Sequence, residues 1–217
     1  MPGIVGTIGF DQFQDDCNPR DWCNVGVMFC DYRGYSLGDE DAPDPRDQED
    51  DEGEPLDIAE YLRREHGARV IMPLFVYEHS GVTMFAGEPI STVTRETFNA
   101  RNRYPFDAAG WDTSAVGVIF DTPETVRECI GADATDDEIA DAMRGEVKVY
   151  ASWLEGDVCE FHVADDETGF SEGCGGFVGD ADHCREECIS ALESAIVARL
   201  TEQTERADMA ARDIVTV

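Results

Sequence analysis

The stretch "ARVIMPLFVYEHSGVTMFAG" at residues 68–87 constrains the fold more than any other part of the chain. Two apolar runs of strand length flank Ser80-Gly81, a turn signal, so the spacing predicts a β-hairpin centred there. Neither run alternates apolar with polar residues, as a strand with one wet face would. The hairpin is therefore expected in a central position, covered on both faces.

Helix signals surround it. In "PLDIAEYLRREHG" (55–67), Asp57 and Glu60 form a capping box, Ile58 and Leu62 share a face, and Gly67 supplies a left-handed stop. "SAVGVIF" (114–120) reads as a further strand, and "TPETVRECIG" as a helix with Thr122 as cap, Pro123 in the first turn and Gly131 as stop. A second capping box, Thr135 and Glu138, opens a helix whose Ile139, Met143, Val147, Tyr150 and Leu154 recur at helical spacing. "DVCEFHVADDETGFSEGCGGFVGD" (157–180) predicts a second hairpin with a polar turn at Asp165–Gly169, and a last helix is expected from Ala181 to Arg212, broken near Thr201. Strands and helices mix without a βαβ period. The expectation is an α+β fold, a mainly antiparallel sheet with hairpins packed by three to four helices, in a single domain over 1–217. Two segments stand apart: an acidic loop or disordered insert at 39–54, with ten acids and two prolines, and a helical or frayed tail at 201–217.

Chemistry-bearing residues are spread through this frame. Cys17, Cys23 and Cys30 in "CNPRDWCNVGVMFC" (17–30) are too widely spaced for a structural zinc knuckle. A second set, Cys159, Cys174, Cys184 and Cys188 with His162 and His183, also lacks one. Cys184 and Cys188 lie one turn apart on an apolar stripe continuing through Leu192, Ala195, Ile196 and Leu200, so they read as core thiols. No metal and no cofactor is expected; Cys174, Cys184, Cys188 and His162 are the weakest metal candidates. Signatures for a serine-hydrolase elbow and for a phosphate loop are missing, since "EGCGGFVGD" (172–180) lacks the Gly-Lys-Ser/Thr ending. The polar and aromatic residues that look placed are Asn18, Arg20, Trp22, Asn24, His79, Ser80, Trp111 and Asp112. Asn18, Arg20, Trp22, Asn24, Ser80 and Trp111 are candidate binding residues; His79, Asp112 and Arg20 are candidate catalytic ones. The alternative role for Asn18 is an Asx-turn before Pro19, with Trp22 and Asn24 pinning the loop.

Charge narrows the partners. The chain has 48 acids against 16 cations, a net charge of −32, and Lys148 is its only lysine. Such a field repels nucleic acid and anionic membrane, so neither is an expected partner. It suits either a basic protein partner, with carboxylates standing in for phosphates, or life in molar salt, where the Debye length is about 3 Å. The opening "MPGIVGTIGF" has no basic segment and no long apolar run, which points to a cytoplasmic protein.

In order along the chain, "NPRDWCNVGVMFC", "PLFVYEHSGVTM", "WDTSAVGVIF", "GEVKVYASWLEGDVCEFHV" and "CGGFVGD" resemble a family of small proteins encoded by phages and plasmids. The family motifs run D-N-P-R-x-W-D-N-x-G-x-M, L-Y-x-Y-D-H-S-G and W-D-S-G-x-V-G. The matching positions are Asn18, Pro19, Arg20, Trp22, Asn24, Gly26, His79, Ser80, Gly81, Trp111 and Asp112. Cys17 and Cys23 stand where the family has aspartates, and Thr113-Ser114 where it has Ser-Gly. The resemblance implies a mobile-element accessory protein, of a virus or a plasmid, that acts in the host cytoplasm. It brings no activity with it. Three functions are thus expected to compete: an acidic accessory protein that binds a host protein, in takeover or anti-defence; a small hydrolase-like or nucleotide-acting enzyme built on Asn18–Asn24, His79 and Asp112; and a salt-adapted protein whose charge has no partner.

Overall fold

The computed structural model describes residues 3–12, 14–41, 57–92, 107 and 109–215. Of the acidic insert, only its first residues, 39–41, fall within this range. The described residues form two compact units: a continuous middle segment, Asn18–Glu155, and a unit made from Met1–Cys17 with Gly156–Val217. No shift of composition marks either boundary, so the single-domain reading does not separate them.

The middle unit is an α+β layer structure. Its five-stranded sheet runs β3-β2-β6-β4-β5, with β2 at Gly26–Cys30, β3 at Glu40–Asp41, β4 at Ile71–Glu78, β5 at Val82–Ala86 and β6 at Thr113–Asp121. All pairings are antiparallel except the short β2–β3 contact. The long apolar run at β4 is covered on both faces, as its lack of alternation requires. On one face Met72, Leu74 and Val76 pack with Met28 and Ile119 against Ile139, Met143, Val147 and Tyr150 of α3 (Asp136–Leu154). On the other, Ile71, Phe29, Val118 and Phe120 meet Ala59 and Leu62 of α1 (Ile58–His66). Each fully buried aliphatic side chain of this kind contributes roughly 1.5–3 kcal/mol. The second half of the hairpin differs from expectation, because β5 is an edge strand. Pro73 sits inside a central strand, a position proline avoids for want of an N–H, and the β4–β6 register shifts beside it at Leu74/Phe75. Gly117 is required where β6 passes β2, since a Cβ there would strike the Phe29 carbonyl.

Helix ends follow the local signals. The Asp57 side chain accepts from the Ala59 amide, and Gly67 closes α1 at φ 68°. Thr122 caps α2 (Pro123–Cys129), paired with Thr125, and Thr135 caps α3 with Glu138 in reciprocal bonds.

The second unit pairs β1 (Ile4–Phe10), β7 (Val158–Asp165) and β8 (Phe170–Val178) in an antiparallel sheet of order β1-β7-β8. Helix α4, Ala181–Val215, packs Cys184, Cys188, Ala191 and Ala195 onto Cys159, Phe161 and Val163. It runs through Thr201 without a break, and that hydroxyl donates to the Val197 carbonyl one turn back (2.9 Å). The apolar stripe of α4 is also narrower than its sequence suggests. Ile196 and Leu200 are exposed, and Arg199 continues the buried side by pairing with Asp165. β1 is not legible in the sequence, since "IVGTIGF" shows no alternation. Among the described residues, no helix is long and apolar enough to cross a membrane.

Candidate functional site

The turn between β4 and β5 brings two of the predicted residues together. His79 Nδ1 lies 3.1 Å from Asp112 Oδ2, and the Glu78 amide donates to the Asp112 carbonyl (2.9 Å). With Nδ1 engaged by a carboxylate, Nε2 is the ring nitrogen left to face outward, the orientation used by a general base or by a hydrogen-bonding recognition group. The pair sits on open surface, with side chains 69% and 42% exposed. Ser80 follows in the same turn and is exposed. Tyr77 stacks on His79 at 6.2 Å between ring centroids.

Beside this pair stands Trp111, 88% exposed. Its loop is held by Asp107, a buried residue whose Oδ1 accepts from the amides of Gly110 (2.8 Å) and Trp111 (3.0 Å). Oδ2 accepts from the Asp112 amide (3.0 Å) and the Thr113 hydroxyl (2.8 Å). Burial alone pushes the Asp107 carboxyl up, but these four bonds together outweigh it and hold it below its ordinary value. One carboxylate therefore organises the whole loop and aims both Trp111 and Asp112.

Glu78 closes the other side. It accepts from the hydroxyls of Tyr32 (2.6 Å) and Tyr35 (3.3 Å), which stack on each other at 5.7 Å. The hydrogen bond to Glu78, with burial and the nearby charge, raises the Tyr32 hydroxyl above its usual value and keeps it a donor. Sequence reading passes over Tyr32, Tyr35, Glu78 and Asp107. The signal for the tyrosines is "DYRGY", a tight turn with Gly34 at φ 73° between two aromatic residues. Asp107 has no local signal, because its partners follow it by three to six positions in a loop.

The remaining candidates are drawn into another arrangement. Asn18 Oδ1 accepts from the Arg20 amide (3.0 Å), the expected Asx-turn, and Asn24 Nδ2 donates to the carbonyls of Pro19, Arg20 and Trp22. The Arg20 side chain is 4% exposed; Nε and Nη2 grip Asp39 at 2.8 and 2.6 Å, Nη2 also donates to the Gly26 carbonyl, and Nη1 faces Glu146 at 3.6 Å. Glu146 in turn accepts from the amides of Val25 and Gly26, and Asp39 from Met28. Burial raises the Glu146 carboxyl, opposed by those amides and by Arg20. These polar groups tie the loop to β2 and α3. None of the described hydrogen bonds joins Arg20 to His79 or Asp112. Trp22 is exposed at the loop tip.

Three cysteines gather in the second unit, where Cys159, Cys184 and Cys188 share one apolar cluster. Cys184 and Cys188 lie buried among the apolar residues of α4 and β7, and burial pushes the Cys184 thiol up. Cys174 is exposed, and His162 bonds Ser171 at 3.2 Å. Cys23 is exposed and hydrogen-bonds with Cys129; both are free thiols, and burial with that contact pushes the Cys129 thiol up to about 12. Among the described residues, no group of three or more His, Cys, Asp or Glu side chains is arranged to hold a metal ion. Comparison with protein-family models, curated proteins and solved structures finds no match.

Proposed function

We propose that this chain is a binding protein that takes hold of a protein partner with the face formed by Trp111, His79 and the Tyr32–Tyr35 pair. The observation that carries the reading is Trp111, which is nearly fully exposed while its backbone is clamped by Asp107. A solvated indole on a clamped backbone leaves only its own two side-chain torsions to be ordered on association and offers a large apolar and cation-binding face, the features of an interface hot spot. Glu78 and Asp112 flank it, so the face suits a partner rich in arginine or lysine, and the net charge of −32 would steer such a partner in. In this reading the chain is an acidic accessory protein of a virus or plasmid, and its partner a basic host protein of the cytoplasm, as in takeover or anti-defence.

The test compares the immobilised full chain with its Trp111→Ala variant in host extract, then measures affinity for the purified captured protein at low and high salt. Trp111→Ala is expected to weaken binding by about thirtyfold, the equivalent of a 2 kcal/mol hot spot, and salt to weaken the wild type. Equal capture by both proteins overturns the assignment of the face.

One observation favours a second reading. The His79–Asp112 pair is an oriented imidazole with a free nitrogen, which supports a small hydrolase-like or nucleotide-acting enzyme. That reading requires turnover of an ester or phosphoester substrate that His79→Gln abolishes. The spread of acids along the chain favours a third, salt adaptation, which requires unfolding in dilute buffer and recovery in molar KCl.

A further inference from the structure

Strand β1 is the open edge of its sheet, and its sequence lacks the usual protection of an edge. Ile4–Phe10 reads IVGTIGF, with no charge and no proline in a chain holding 48 acids. The Asp11 amide donates to the Val158 carbonyl, so position 11 is a hydrogen-bonded pair with β7, and by alternation so are Val5, Thr7 and Gly9. Ile4, Gly6, Ile8 and Phe10 therefore turn their N–H and C=O groups away from β7, to the free side. The register sets Gly6, Ile8 and Phe10 opposite Val163, Phe161 and Cys159, so their side chains share the face that carries α4. Phe10 is nonetheless 77% exposed, and Ile8 is exposed as well.

Helix α4 extends this apolar surface. Its buried stripe is Cys184, Cys188, Ala191 and Ala195, and Leu192, next to it, lies against Gly6 of β1. Moving round the helix in the same direction brings Ile196, Ile189 and Leu200, spaced i, i+7, i+11 when ordered by number, and all are exposed. Edge strand and helix stripe thus share the β1 side of the unit; the strand is uncharged, and on the helix Glu193 lies among the stripe positions, with Arg185 paired to Asp182 beside them.

We infer that this flank is a self-association surface, on which a second copy pairs its own β1 antiparallel to the first across a two-fold axis. The two sheets become one of six strands, and the α4 stripes of Ile189, Ile196 and Leu200 meet beside them. Charge selects the occupant. Two copies of a −32 chain repel over most of their surface, but no register of β1 against itself places one charge opposite another. A basic partner gains nothing from an uncharged strand, whereas an isologous contact needs only a patch complementary to itself. Salt then has a defined effect: it screens the repulsion between copies and leaves the apolar contact, so association strengthens as ionic strength rises.

Sedimentation of the full chain at low salt and at ~2 M KCl, where the Debye length is below about 3 Å, measures this directly. The expected result is a monomer–dimer equilibrium that salt drives toward dimer. Ile8→Pro removes only an outward amide, sparing the β1–β7 ladder, and Leu200→Glu places a charge at a position 57% exposed on the helix stripe. Each is expected to weaken the dimer by about tenfold or more. Trp111→Ala, in the other unit, is expected to leave it unchanged. Circular dichroism checks folding, and if Ile8→Pro fails to fold, Leu200→Glu decides alone. A monomer at both salts, association that weakens with salt, or a dimer indifferent to Leu200→Glu overturns the inference.

Discussion

Replacing Arg20 with methionine separates a structural role for this residue from a functional one. The substitution keeps most of the stem and deletes the guanidinium, which is 4% exposed and sits between Asp39 and Glu146, 24% and 15% exposed. Three things are lost: a two-point grip on Asp39, a donor to the Gly26 carbonyl, and the only described cation facing Glu146. Removing one member of a buried ion pair costs about 3–5 kcal/mol, because the surviving charge stays buried. Two features place this case at the lower end. Water reaches Asp39, and Glu146 keeps the amides of Val25 and Gly26. The expected loss is therefore about 3 kcal/mol, a shift of about 1.5 M in urea midpoint for a slope near 2 kcal/mol/M.

The pH dependence supplies a second readout. Glu146 is raised by burial already in the native protein, and loss of Arg20 raises it further. A carboxyl whose folded value lies above its unfolded value favours the folded state when protonated, and that advantage fades as pH rises through the folded value. The penalty of Arg20→Met should thus shrink as pH falls from 8 toward 5. Urea unfolding at both pH values, with exposed Arg127→Met as the control expected to change stability by less than about 0.5 kcal/mol, tests this. A loss below about 1 kcal/mol, or a penalty independent of pH, would refute the account.

Asp107→Asn replaces an acceptor of four bonds with a side chain carrying an N–H₂ toward at least one donor, so the amides of Gly110–Asp112 should exchange faster and Trp111 fluorescence should become more mobile. In the wild type, a carboxyl held below its ordinary value stabilises above about pH 4 and stops doing so as pH falls through its folded value; the fluorescence of Trp111 should report that loss, and Asp107→Asn should erase it. In the other unit, Arg199 holds the Asp165 carboxyl down to about 2, so Arg199→Gln should move acid unfolding of that unit to higher pH, read by circular dichroism between about pH 4 and 2. Thiol titration with an aromatic disulfide should find Cys23 and Cys174 reactive in the native protein, while Cys30, Cys159, Cys184 and Cys188 react only in denaturant. Burial pushes the Cys30 thiol up to about 12, so raising the pH to 9 should not expose it to reaction.

Where the sequence succeeded, a local cause was at work. Caps at Asp57, Thr122 and Thr135 bond to amides two or three residues on, so their signal lies within one turn of the chain. The run at 71–78 is apolar on both faces because two helices cover it. The Asx-turn at Asn18 is equally local. β1 failed the same test: it is exposed along nearly its whole length at a sheet edge and contains two glycines, so neither period nor propensity marks it. Arg20 is instructive in the opposite way. Its place in a polar loop reads as a ligand-binding position, whereas its partners Asp39 and Glu146 arrive from 19 and 126 residues away.

Charge, element types and turn positions follow from the sequence by itself, because each depends on residues within a few positions of one another or on a sum over the whole chain. Tertiary structure alone decided which polar residues meet. His79 finds Asp112 because β4 and β6 are neighbours in the sheet, and Trp111 is aimed outward because Asp107 gathers four donors into one carboxylate. It also decided that Ile196 and Leu200 stay outside while Arg199 turns in, since the width of a helix's buried stripe is set by the sheet it lies on. Such juxtapositions depend on strand order and packing across long sequence separations, and no short stretch of the chain encodes them.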